Sequence, residues 1–311
     1  MHNRRVLVLT NCTNRKRGHV SRQLSARSLP KATYRQVSTE WASRLEAASQ
    51  HYVADKLYCG RAVTETLQAA SILNAEVVFL SAGLGVVPQT QQVPAYNLTS
   101  SPGLPNSIGP RLSEPYSPAQ WWQALQSARG VRNALAHAIQ EREPALVLTV
   151  LPASYLGMVG TELESLPAPM RARLRIIGPR RAEEVPVGLR PHWLPYDWRL
   201  DSPKTGFNGT TADFPHRALR HFVTELPANG ISFSVEQHQK LVEKALSPFK
   251  PYVPTRGAPA SDEEVLVVIR GLWEKFDGNR SRILRELRAN SGIACEQSRF
   301  RRLADRFEGK L

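Results

Sequence analysis

Val6-Leu7-Val8-Leu9-Thr10-Asn11-Cys12-Thr13-Asn14-Arg15-Lys16-Arg17 joins an apolar run directly to a polar, basic turn. A strand with one face in water alternates apolar and polar side chains, whereas a strand covered on both faces need not. The unbroken run Val6 to Thr10 therefore predicts an internal strand of a parallel sheet. Three more runs share this character: Glu76 to Ser81, Ala145 to Leu151 and Leu174 to Ile177. Helical spacing fills the gaps between them, over Ser38 to Gln50, Arg61 to Leu73 and Pro118 to Glu141, the last with Ser117 as N-cap and Pro118 at the first helical position. Strands alternating with helices predict an α/β fold with a small, mostly parallel sheet flanked by helices. A further amphipathic helix is expected from Asp213 to Glu225, with Pro227 and Gly230 marking its exit.

In such sheets ligands bind beyond the carboxyl ends of the strands. The segments that follow the first three strands, Asn11 to Arg17, Ala82 to Asn97 and Pro152 to Gly157, are thus expected at one rim. Two stretches read as irregular. Gln92 to Ser117 holds five prolines and two glycines, and Pro195 to Asp213 holds three acids, Asp197, Asp201 and Asp213.

Charge is unevenly spread along the 311 residues, whose formal net charge is +14. Residues 1–44 carry ten Lys/Arg against one acid, residues 45–227 sixteen against fifteen, and residues 228–311 fifteen against eleven, giving +9, +1 and +4. Two basic regions around a nearly neutral body suit a polyanion held at two places, and double-stranded DNA is the expected partner. No run of about 18 apolar residues occurs, and the short apolar run after Met1-His2-Asn3-Arg4-Arg5 is too brief for a signal peptide. A cytoplasmic protein without a membrane partner is expected. Cys12, Cys59 and Cys295 lie far apart with no CxxC pair, so neither a disulfide framework nor a metal or other cofactor is expected.

Beyond Pro227 the composition changes. A helix from Val235 to Leu246 precedes a Pro-rich tether, Ser247 to Ala260. Three helical segments follow: Asp262 to Phe276 behind a Ser261 cap with Glu264 at capping-box spacing, Asn279 to Ala289, and Ala294 to Phe307. The last two are joined by Asn290-Ser291-Gly292-Ile293, as in a helix-turn-helix. The expected organisation is a catalytic α/β domain over 1–227, a helix and linker over 228–260, and a basic helix-turn-helix-like DNA-binding domain over 261–311. Arg280, Arg282, Arg299 and Arg302, with Arg17 near the amino end, are the candidate DNA contacts.

Several short motifs remain: the turn after the first strand with Asn11, Cys12, Asn14 and Arg15, then Leu57-Tyr58-Cys59-Gly60, Leu80-Ser81-Ala82-Gly83-Leu84-Gly85 and Pro94-Ala95-Tyr96-Asn97-Leu98. Over residues 5–100 these resemble the YaaA-type peroxide-stress proteins and related base-processing domains. In this chain Gly83 and Leu84 stand where that pattern usually has basic and His/Tyr-like residues, and Asn97 where it more often has an acid. The resemblance extends to a uracil-DNA-glycosylase type of sheet and to anti-phage DNA glycosylases that remove modified bases. It implies a DNA glycosylase that flips out and excises a modified base in antiviral defence; the alternatives are a DNA-binding stress protein without catalysis and a nucleobase-exchanging transglycosylase.

Such cleavage needs an extruded nucleotide, stacking and hydrogen-bonding groups, and a carboxylate near the sugar. Asn11, Cys12, Asn14, Arg15, Tyr58, Ser81, Tyr96, Ser154 and Tyr155 are candidates for substrate binding. Asp201, Asp197 and Asn97 are candidates for catalysis. Asp213 is a weaker carboxylate candidate that serves equally as a helix cap, and Asp197 has Arg199 beside it as an alternative partner. Cys12 reads either as a nucleophile or as a small buried residue. His216, His221 and Trp121-Trp122 read as packing.

Overall fold

A computed structural model of the chain describes residues 6–226, 232–252 and 258–308. The chain divides between Tyr252 and Val253 into two compact units.

The first unit is built on five strands: β1 (Val6–Asn11), β3 (Glu76–Ser81), β4 (Gly85–Pro88), β6 (Leu146–Val150) and β7 (Leu174–Ile177). Their order is β4-β3-β1-β6-β7, with β4 antiparallel and the rest parallel. Val6 to Leu9 are all 2% exposed or less, as the unbroken apolar run requires of a strand covered on both faces. A short ribbon pairs β2 (Tyr52–Val53) with β5 (Gln92–Val93). Helices α1 (Tyr34–Glu46), α2 (Ala54–Leu57), α3 (Arg61–Leu73), α4 (Pro118–Ala128), α5 (Ala134–Arg142), α6 (Ala153–Glu164), α7 (Ala168–Arg171), α8 (Phe214–Glu225) and α9 (Val235–Leu246) flank the sheet or its loops. The chain runs from β1 to β3 on one side of β1 and later to β6 on the other. The connections thus part between β1 and β6, and that is where a doubly wound sheet opens a crevice at its carboxyl edge.

Local chemistry explains where elements differ from expectation. The first helix begins four residues early, because Thr33 and Gln36 form a capping box. The helix expected from Pro118 to Glu141 is two helices, broken where Gly130 and Asn133 take positive φ. β4 arises because Gly85, at φ +80°, turns the chain back after Ser81. The irregular stretch after β5 is largely buried through Tyr96, Leu98, Ile108 and Leu112. Helix α9 lies in the first unit, where Val242 and Leu246 join its core. The expected exit at Pro227 and Gly230, and residues 253–257 of the tether, lie outside the described residues.

The second unit holds α10 (Asp262–Trp273), α11 (Arg280–Ala289) and α12 (Gln297–Glu308) around Val265, Ile269, Ile283, Leu287, Phe300 and Leu303. Among the described residues no helix is long and apolar enough to cross a membrane.

Candidate active site at the carboxyl edge of the sheet

The turn leaving β1 and the start of α6, which follows β6, meet at the carboxyl edge of the sheet. Cys12 Sγ lies 3.3 Å from Tyr155 Oη, and Tyr96 Oη donates to the same sulfur at 3.4 Å. Tyr96 Oη is also 2.5 Å from Ser81 Oγ at the end of β3 and 3.1 Å from Tyr58 Oη. Ser81 Oγ accepts the backbone N–H groups of Gly83 and Leu84 at 3.1 and 2.9 Å, which fixes the turn into β4. Five candidate residues far apart in sequence, Cys12, Tyr58, Ser81, Tyr96 and Tyr155, thus form one hydrogen-bonded knot.

All five are buried, so the tyrosines are not exposed stacking platforms; each phenol instead finds a polar partner inside the fold. Burial pushes the phenols of Tyr58, Tyr96 and Tyr155 well above the ordinary range, with the neighbouring thiol of Cys12 acting in the same direction. They are neutral O–H donors at physiological pH.

Lys16 sits over this knot. Its Nζ lies 4.1 Å from the Tyr96 ring centroid and 5.8 Å from that of Tyr58, and it donates to the Thr13 carbonyl at 2.9 Å. Burial lowers its pKa, while proximity to Cys12 and Cys59 opposes the shift. Asn11 is half-buried; its Nδ2 donates to the Cys12 carbonyl, and its buried Oδ1 has no hydrogen-bond partner among the described residues. Asn14, Arg15, Arg17 and Ser154 are exposed. Asn97 is half-buried and fastened by its backbone, which exchanges hydrogen bonds with Leu24 and Ala26 at 2.7 and 2.8 Å.

The carboxylates are placed differently. Asp201 is 4% exposed, with Oδ2 2.5 Å from Arg180 and Oδ1 2.8 Å from Arg217. Arg217, fully buried, also donates to Asp213 at 2.7 Å, to the Thr210 carbonyl at 2.7 Å and to the Phe207 carbonyl. Asp213 makes no side-chain capping bond, and Arg61 approaches it at 3.6 Å. Asp197 accepts from the backbone and side chain of Arg199, whose guanidinium also grips Glu243 on α9. Asp201 and Asp213 are therefore members of an ionic lattice that holds the irregular segment 195–213 against α8, and Asp197 ties the same segment to α9. Arg180, stacked 3.9 Å from the Phe214 centroid, was not among the expected site residues. Its position just past β7 follows from the same rule that located the other rim segments.

His216 and His221 pack inside, bonded to Thr10 Oγ1 at 3.2 Å and Tyr196 Oη at 3.0 Å. Burial depresses both from the ordinary 6.5 to about 4, against the opposing pull of Asp213 and Glu225 respectively. Because the folded pKa is the lower one, the unfolded chain takes up protons first as pH falls below 6.5, and stability drops from there towards pH 4. The urea midpoint of unfolding should therefore fall between pH 7 and pH 5, and His221→Phe should make that fall shallower; an unchanged slope would show that His221 does not titrate with unfolding.

In the second unit Arg299 and Arg302 both pair with Asp262, at 2.7 and 3.2 Å, and Arg280 pairs with Asp305 at 2.8 Å. These three expected DNA contacts hold their own helices together. Arg282, and also Arg285, Arg301 and Arg306, are exposed with no side-chain ion pair among the described residues. Among the described residues no group of three or more His, Cys, Asp or Glu is placed to hold a metal ion. Comparison with protein-family models, with curated proteins and with solved structures finds no match for this chain.

Proposed function

We propose that the chain is a DNA glycosylase: its α/β body, a sheet of the uracil-DNA-glycosylase kind, receives a flipped modified base and cuts its N-glycosidic bond, leaving an abasic site. The observation that carries this reading is the cluster of side chains at the carboxyl ends of β1, β3 and β6. There buried hydroxyl groups, the Cys12 sulfur, the acceptor of Asn11 without a partner among the described residues and the cation of Lys16 converge at the edge where such sheets take ligands. A base edge can be read by the Asn11 acceptor. The negative charge that develops on the departing base faces Lys16, a fixed cation in a partly dry site. Asp201, already matched by two arginines, holds Arg180 in place beyond β7. The test is to incubate the protein with unmodified and phage-modified DNA and reveal abasic sites by alkali cleavage. Cleavage confined to modified DNA is expected.

A second reading, DNA binding without catalysis, is favoured by the ion pairing of both Asp197 and Asp201, and strands left intact by alkali would support it. The proposed chemistry draws on hydrogen bonds and fixed charge, so base release should continue at an undiminished rate in EDTA. Loss restored by a divalent ion would indicate a nuclease instead.

The three-helix unit is read as a helix-turn-helix that grips phosphates. Replacing Arg282 and Arg301 together by alanine should weaken DNA binding and lower the slope of log K against log salt by roughly 2. Arg299→Ala, by contrast, should lower the melting temperature of this unit, because it removes an ion pair to the first turn of α10. Equal salt slopes in the parent and the double variant, by fluorescence anisotropy, would remove these two arginines from the interface.

A further inference from the structure

We propose that Lys16 is an amine nucleophile towards the sugar aldehyde of an abasic site, so that the same centre also cleaves the DNA strand by β-elimination. The proposal rests on the reading of the site as one that removes DNA bases, and takes it one chemical step further.

The chain uses lysine sparingly, nine against thirty-two arginines. A guanidinium does not give up its proton in a protein, so amine chemistry is open to lysine alone among these cations. Of the eight lysines among the described residues, seven are exposed and Lys16 is not. It is held at both ends: its backbone bridges to Tyr58, and its Nζ is anchored on the Thr13 carbonyl and the face of Tyr96. No carboxylate forms an ion pair with it among the described residues, in contrast to Arg61, Arg180, Arg199 and Arg217. Burial makes its ammonium easier to deprotonate, and the neutral amine is the form that carries a lone pair.

The step balances without any oxidant or reductant. The Nζ lone pair bonds to C1′ of the open-chain aldehyde, and the carbonyl oxygen takes up a proton to give a carbinolamine. Loss of water leaves an iminium. A proton then passes from C2′ to water, and the C–H electron pair forms the C2′–C3′ double bond. The C3′–O bond breaks, and the 3′ phosphate departs with its electron pair. One water hydrolyses the iminium, returning the amine and freeing the unsaturated aldehyde.

The full-length protein should be mixed with a duplex carrying one abasic site, prepared beforehand by an independent uracil glycosylase, with and without sodium borohydride. Borohydride reduces an iminium to a stable amine. The expected result is a single covalent adduct whose peptide map places it on Lys16, and nicking 3′ to the abasic site without borohydride. Lys16→Arg should lower both by at least about 100-fold while keeping the parental melting temperature, and Lys31→Arg should change neither. An adduct spread over exposed lysines, no adduct, or trapping by Lys16→Arg at the parental rate would each overturn the proposal. The Lys16 map is read on the parent protein and does not depend on any variant folding. Base release from modified DNA is measured in parallel. Release without an adduct defeats the lyase and leaves the glycosylase standing; an adduct on Lys16 without release defeats the glycosylase alone.

Discussion

Arg217→Met should destabilise the first unit by about 3–5 kcal/mol, the range for removing one partner from a buried ionic group. Arg217 is fully buried and satisfies four acceptors, two of them the carboxylates of Asp201 and Asp213. Methionine fills much of the same space and keeps the apolar contacts of the stem, so the loss isolates the charge. Two carboxylates then remain with side chains 5% and 9% exposed. Among the described residues Asp201 then keeps Arg180 alone as an ion-pair partner, and Asp213 keeps Arg61 alone at 3.6 Å. The Phe207 and Thr210 carbonyls lose their donor as well, so the segment 195–213 should detach from α8 before the sheet unfolds. Urea unfolding followed by tryptophan fluorescence measures the cost. A change below about 1 kcal/mol would mean that water solvates this lattice well enough for its pairs to count as surface pairs.

Gly83→Ala should reduce single-turnover base release by about 100-fold, the penalty for displacing a positioned group by roughly an ångström. A Cβ at residue 83 would lie 2.5 and 2.7 Å from two carbons of the Tyr96 ring, closer than atoms can approach. That ring is fully enclosed, with Trp41 edge-on at 6.3 Å between centroids. Moving it disturbs its bonds to Ser81 and Cys12 and the seat of Lys16 together. Overpacking of this kind costs about 1–3 kcal/mol, so the variant should fold. Parental rates in the folded variant would separate the Tyr96 knot from the chemistry.

The parallel strands were legible because burial on both faces writes an unbroken apolar run, as in Val6 to Thr10 and Leu146 to Val150. The antiparallel β4 was not: its reversal depends on Gly85 and on Ser81 Oγ receiving two backbone N–H groups, a contact that periodicity does not encode. Helix α6 escaped notice for a related reason. It buries Tyr155, Leu156, Met158, Val159, Gly160, Glu162 and Leu163, leaving too little polar face for an amphipathic pattern. The rim residues could be located by the rule that ligands gather beyond the carboxyl ends of strands. That rule finds segments, not partners. Asp201 meets Arg217 sixteen residues on and Arg180 twenty-one residues back, so its neutralisation is a tertiary fact. Lys16 was visible only as one base among three in a turn, and its place on Tyr96 depends on packing from β3 to the loop after β5.

The most direct measurement of base excision uses a duplex with one modified base at a known position and protein in excess over DNA. Free base is counted by mass spectrometry and abasic sites are counted by aldehyde labelling over the same time course. Equal amounts of the two, rising together and only on the modified duplex, are predicted. DNA that binds and is recovered with every base in place would contradict the account and leave the protein as a DNA-binding one.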